Sequence, residues 1–123
     1  MADGKKVLIV EDDEYLRSLT AKRLEGEGFT VLTASDGDVA IKQAGEGPDI
    51  ILLDLLLPGM SGFEVLEKLR ATEGTKTTPI IVFSNLGQKE DIEKAKGLGA
   101  NDFMIKANFT LDDVVEKIRG YLK

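Results

Sequence analysis

The sequence predicts a doubly wound α/β domain with a parallel sheet of five strands and five helices. Three observations carry this. First, β-type runs and helix-type stretches alternate five times along the 123 residues, the pattern of successive βα units. Second, the run Ile50-Ile51-Leu52-Leu53 is apolar at every position rather than at every second one. Such a run fits a central strand covered by helices on both faces. A short buried helix is the other reading, but the β-branched pair Ile50-Ile51 and the nearby Pro58-Gly59 favour a strand. Third, the buried runs end in polar groups: Glu11-Asp12-Asp13, Asp54, Ser84 and Lys106. Sheets of this kind bind ligands outside the carboxyl ends of their strands.

The first strand is Lys6-Val7-Leu8-Ile9-Val10. Tyr15, Leu16, Leu19 and Leu24 follow at roughly helical spacing, and Gly26 and Gly28 mark the stop. Phe29 to Ala34 is rich in β-formers but poorer in apolar residues, as an edge strand is. Ser35 or Asp36 caps a second helix with Val39, Ala40 and Ala44, which Gly45 to Pro48 end. The central strand then leads to Asp54. A carboxylate there costs several kcal/mol unless a cation meets it. A third helix starts near Ser61 or Gly62 and shows Phe63, Leu66 and Leu69 on one face. Glu73 to Thr78 is a polar loop. Pro79 to Phe83 is a buried strand ending at Ser84, and Gln88 to Leu98 a weakly amphipathic helix with Ile92, Ala95 and Leu98. Phe103-Met104-Ile105 is a short last strand ending at Lys106. Thr110 opens the final helix, with Asp113 placed for a capping box and a stripe of Leu111, Val114, Val115, Ile118 and Leu122.

Bulk properties narrow the function. A chain of this length makes one domain, 1–123. A hydrophobic content of 42% supports an ordinary core, and no apolar run approaches the ~18 residues of a membrane span. The start Met-Ala-Asp-Gly-Lys-Lys lacks the apolar region of a signal peptide, so a cytoplasmic location is expected. A net charge of −6 weighs against direct nucleic-acid binding. The absence of cysteine excludes disulfides, thiolate catalysis and thiolate metal sites. The absence of histidine removes Ser-His triads, imidazole bases and histidine-ligated zinc. A metal here must be hard and oxygen-bound, Mg²⁺ or Mn²⁺.

Clustered carboxylates repel unless a cation joins them. Asp54 with two acids from the first strand makes an all-oxygen Mg²⁺ site. Lys106 supplies a second positive charge and Ser84 a hydrogen bond. Together they suit the stabilisation of a phosphoryl group in transfer. A carboxylate can itself be the nucleophile, giving an aspartyl phosphate.

These residues resemble the receiver domain of two-component response regulators, over essentially the whole chain. The motifs are the acidic pair after the first strand, Asp54 followed by L-L-L-P-G-M-S-G, Ser84 after I-I-V-F, and Lys106 after G-A-N-D-F-M-I. The resemblance is to a stand-alone, chemotaxis-regulator-like member, and the helix ending at Leu122-Lys123 fits a stand-alone domain. It implies a flavodoxin-like sheet of order 2-1-3-4-5. It also implies Mg²⁺-dependent phosphorylation of Asp54 by the phosphohistidine of a histidine kinase or histidine phosphotransfer protein. On the family's I-V-D-D pattern the acidic pair is Glu11 and Asp12, with Glu11 replacing an aspartate. Asp12 then binds the metal directly and the Leu56 main-chain carbonyl completes the protein ligands, while Asp13 caps the first helix. Ser84 and Phe103 are the implied switch residues. The implied downstream target docks on the face of the fourth helix, fifth strand and fifth helix.

Two positions depart from the family. Proline usually follows the active-site lysine, often after a cis bond, and here it is Ala107; a cis bond before a non-proline costs ~2.5–4 kcal/mol. Phe103 stands where tyrosine is frequent, and serves either as core or as switch. Leu56 and Leu86, two beyond the acceptor and two beyond Ser84, flank the approach of a hydrolysing water in the family. Neither side chain can orient a water, so a slowly decaying phosphoprotein is expected.

Two other functions compete. One is a phosphatase with an aspartyl nucleophile, but Glu14 stands where a D-x-D signature after Asp12 needs an aspartate, and there is no cap insertion. The other is a receiver-fold binding module that is not phosphorylated, against which the set Asp12, Asp54, Ser84 and Lys106 argues.

Overall fold

The computed structural model describes residues 4–123. Five strands, β1 (Lys6–Val10), β2 (Thr30–Ala34), β3 (Ile50–Leu53), β4 (Ile80–Ser84) and β5 (Asp102–Ile105), form one sheet of order β2-β1-β3-β4-β5. Every neighbouring pair is parallel. The helices are α1 (Glu14–Gly26), α2 (Gly37–Ala44), α3 (Gly62–Arg70), α4 (Lys89–Gly97) and α5 (Leu111–Tyr121). The expected class, strand order and edge position of β2 all hold.

Strand alternation divides the core in two. Val7, Ile9, Ile50, Leu52, Ile81, Phe83 and Met104 face the side covered by α1 and α5, against Leu24, Val114, Val115 and Ile118. Leu8, Val10, Ile51, Leu53, Ile80 and Val82 face α2, α3 and α4, against Ala40, Val65, Leu66, Leu69 and Ala95. All four residues of β3 are buried, as a strand covered on both faces requires. No helix among the described residues is long and apolar enough to cross a membrane.

Helix starts follow their predicted caps. Asp13, Asp36, Ser61 and Thr110 each accept a main-chain N–H in the first turn. Ser61 with Glu64 and Thr110 with Asp113 form full capping boxes. α4 differs: Gln88 at its N-cap makes no side-chain capping bond, and Ala95 is its one buried residue. Lys94 of α4 lies 4.4 Å from the centre of the Phe63 ring on α3, a cation–π contact.

Two local features depart from the sequence reading. α1 turns Leu24 and Thr20 inward, while Tyr15 is 76% exposed and Leu19 42% exposed. Thr20 tolerates burial because its hydroxyl donates to the Leu16 carbonyl at 2.8 Å. At the far end of the sheet, Arg70 organises the loop expected to be merely polar. Its guanidinium donates to the carbonyls of Gly99 (3.0 Å), Thr75 (2.9 Å) and Thr78 (2.8 Å) and to Asn101 Oδ1 (2.8 Å). Asn101 Oδ1 also accepts the Ile80 N–H, so one arginine ties α3, the α3–β4 loop and the α4–β5 turn to the start of β4.

Candidate functional site

The carboxyl ends of β1, β3, β4 and β5 bring Glu11, Asp54, Ser84 and Lys106 into one cleft. Asp54 follows the last residue of β3 and is 4% exposed. Its Oδ1 accepts the Ser84 hydroxyl at 2.6 Å and the Leu56 N–H at 3.0 Å. Its Oδ2 accepts the Lys106 ammonium at 2.7 Å. The buried charge therefore has the cation and donors that its position demands. Ser84, the final residue of β4, is fully buried.

Lys106 opens a short 3-10 turn, Lys106–Asn108, directly after β5. Its ammonium also bonds Glu11 Oε1 at 2.6 Å and lies 5.9 Å from the centre of the Phe83 ring. Burial pushes the Lys106 ammonium towards a lower pKa, but the hydrogen bonds to Asp54 and Glu11 and their charges outweigh it, so the net direction is up. The Glu11 carboxyl is raised, chiefly by burial; the Lys106 bond and the Asp13 N–H oppose this in part. The Lys106-Ala107 bond is trans, since no peptide among the described residues is cis.

Carboxylate oxygens of Glu11, Asp12 and Asp54 all lie within 4.8 Å of one another. Asp12 is exposed at the rim and the other two are buried. Three hard oxygen donors with one open side fit Mg²⁺, which prefers carboxylates and retained waters. Asp13 is turned away: its Oδ1 caps α1 by accepting the Leu16 N–H at 3.0 Å.

The remaining predicted residues lie around this centre. Leu56 is 47% exposed beside Asp54. Leu86 is half-buried against the α2–α3–α4 side of the core, and its N–H reaches the Ser84 hydroxyl at 3.4 Å. Phe103 lies on β5 opposite Val82, half-buried against the same side of the core. The sequence reading missed Arg17. From the first turns of α1 its guanidinium donates to the carbonyls of Glu11 at 2.9 Å and Asp12 at 3.4 Å, fixing the acidic loop. An arginine one turn past an acidic triplet was the available signal. Gly62 is also structural to the site, because any β-carbon there would run into the Asp54 carbonyl and the Leu55 backbone.

The family model for the response regulator receiver domain matches residues 7–119. Among curated proteins the chain is 38% identical to the alkaline phosphatase synthesis transcriptional regulatory protein PhoP of Bacillus subtilis, over 98% of this chain and 49% of that protein. It is 32% identical to the phosphate regulon transcriptional regulatory protein PhoB of Escherichia coli, over 98% of this chain and 52% of that one. The chain thus spans about half the length of these relatives. Among solved structures, the chemotaxis protein CheY4 of Vibrio cholerae superposes with a TM-score of 0.89 at 28% identity, covering 96% of this chain and 98% of that one. A CheY-like receiver protein of Methanospirillum hungatei gives 0.90 at 28% identity, covering 98% and 94%. With four strand-end groups converging as that fold requires, the chain belongs to the response-regulator receiver family, the phospho-acceptor signalling modules of two-component systems.

Proposed function

We propose that Asp54 is the phospho-acceptor of this chain. One observation supports it above the others: a single buried carboxylate sits at the centre of the cleft with a hydroxyl on one oxygen and an ammonium on the other. In the transfer, an Asp54 oxygen forms a bond to phosphorus as the phosphorus–nitrogen bond of a partner's phosphohistidine breaks. The freed imidazole leaves and takes a proton from solvent. The donor is a histidine kinase or histidine phosphotransfer protein, since this chain has no histidine. Glu11, Asp12, Asp54 and the Leu56 carbonyl would hold Mg²⁺, with Mn²⁺ as a substitute. When bound, the ion supplies positive charge to the transferring phosphoryl oxygens. Lys106 supplies the same from the chain itself. The phosphoryl group stays on the protein, so the domain catalyses its own modification and demodification rather than turning over a separate substrate.

The resting hydrogen bonds suggest how the signal leaves. Ser84 gives its hydroxyl to Asp54 now, and a phosphoryl group offers it a stronger acceptor. Moving Ser84 draws on the β4–α4 loop, and Phe103 takes the space this vacates. α4 is the least anchored helix, so the face of α4, β5 and α5 is where a protein target would read the change. The module acts in the cytoplasm, through protein partners and without direct nucleic-acid contact. Full-length likeness to the chemotaxis structures supports a single domain over 1–123; relatives twice as long support a receiver joined to an output domain. The size of the native protein on an immunoblot separates these two.

The central test is incubation with Mg²⁺ and acetyl phosphate followed by intact mass. The parent gains one phosphoryl group and Asp54→Ala gains none. Full labelling of Asp54→Ala would sink the assignment. Beryllofluoride should shift amide resonances from Gln88 to Phe109, and shifts confined to the neighbours of Asp54 would count against the switch.

A further inference from the structure

At the end of the molecule opposite Asp54, the C-termini of α2 and α3 enclose a second concavity of about 180 Å³. Its apolar wall is Ile41, Ala44 and Leu69, of which Ala44 and Leu69 belong to the core beneath α2 and α3. Thr72 and Thr75 form the polar part, and Gly74 stands at the rim.

We infer that this is a binding site for a small, uncharged aromatic molecule carrying one N–H or O–H donor, of the size of phenol or indole. The volume is right: a cavity of about 150 Å³ lined by aliphatic and aromatic side chains holds benzene. The site opens to solvent at Gly45, Gly47, Thr72 and Gly74, which are exposed, while Ala44 and Thr75 at its floor are buried. Thr75 already donates to the Leu69 carbonyl at 2.6 Å and Thr72 to the Lys68 carbonyl at 2.8 Å. Their hydrogens are thus committed, while each hydroxyl oxygen can still accept a bond. Charge is disfavoured on two counts. No charged side chain lines the site, so an ion would enter it unpaired. The carbonyl ends of two helices also meet there, with caps at Gly45 and Ala71, and their dipoles repel anions. The same field favours a ligand that presents a donor hydrogen. Two glycines stand at the rim: Gly47 adopts a left-handed φ of 74°, whereas Gly74 lies outside that region and a β-carbon there would meet nothing within 4 Å. A side chain at Gly74 would meet no clash at its β-carbon, and none is present.

The test uses indole as probe on protein with labelled methyl groups. Ile41 and Leu69 methyl resonances should shift saturably as indole is added. N-methylindole, which lacks the donor, should bind several-fold more weakly, and benzoate should not bind. Gly74→Leu, at an exposed turn position that leaves the fold intact, should weaken indole by about tenfold or more. Ala44→Leu fills the same space from the helix side and should do likewise. The proposal is overturned if no saturable shift occurs up to the solubility of indole. Shifts centred elsewhere, or a Gly74→Leu protein that binds as the parent does, overturn it equally.

Discussion

Replacing Asp12 by asparagine should stabilise the domain without metal and destabilise it relative to the parent with metal. Asp12 makes no side-chain ion pair among the described residues, yet its carboxylate lies within 4.8 Å of those of Glu11 and Asp54. Two unit charges at that separation in a water-like surrounding repel by roughly 1 kcal/mol. Asp12 meets two carboxylates, and the Lys106 ammonium that bonds both of them offsets part of their charge, so about one such repulsion is left uncompensated. Asparagine keeps the shape and removes it, a gain on the order of 1 kcal/mol. Mg²⁺ acts in the opposite sense. A ligand at a hundred times its Kd stabilises the folded state by about 2.7 kcal/mol, and the variant has lost one of three carboxylate donors. Urea unfolding followed by circular dichroism, once in EDTA and once in excess Mg²⁺, reads both effects. The order of the two midpoints should invert between the conditions. If the parent is more stable in both, or if Asp12→Asn gains as much from Mg²⁺ as the parent, the assignment of this cluster to the metal is wrong.

Three further outcomes are expected. Arg70→Met removes four charge-assisted hydrogen bonds, and because water can reach part of the site the loss should be about 2–4 kcal/mol in urea unfolding; a change under ~0.5 kcal/mol would show the clamp to be idle. The Lys106 ammonium is favoured by folding, so its contribution is fully present below the ordinary lysine value of 10.5 and is lost as pH rises through the higher folded value. Stability of the parent should therefore fall at alkaline pH by more than that of Lys106→Met, and parallel profiles would contradict the pairing. Finally, phosphorylated protein should decay slowly, and Leu56→Asn or Leu86→Glu should hasten the decay several-fold by orienting water; if neither does, the leucines do not control access.

The fold was readable because its signals are local. The all-apolar runs, the capping residues Asp13, Asp36, Ser61 and Thr110, and the polar group at each strand end all announce themselves within a few residues. So did the central trio of Asp54, Ser84 and Lys106, because parallel topology carries strand ends to one edge. What escaped depends on partners without a residue signature. Arg70 bonds three main-chain carbonyls, which any sequence would offer. Thr20 is buried because it bonds its own helix, so the inward face of α1 passes through a polar residue and Tyr15 and Leu19 are left outside. The direct Glu11–Lys106 bond depends on how far two long side chains reach across the cleft, a matter of geometry rather than spacing.

The closeness of Gly62 to the Asp54 backbone bears on the direction in which the domain can respond. The first turn of α3 rests on the main chain of the residue proposed to carry the phosphoryl group, with no room for even a methyl group between them. That flank is stiff: a displacement at Asp54 has no slack there to spend. The other flank, from Ser84 through the β4–α4 loop to a helix with one buried residue, is close-packed at Gly87, but there against the Ile105 side chain, which can give where a main chain cannot. With Asp54 as the proposed acceptor, unequal stiffness rather than a dedicated path would steer the change. Selection on this protein should then act on the tight side as strongly as on the side that moves, since loosening Gly62 would let the motion divide between both flanks and dilute what reaches α4.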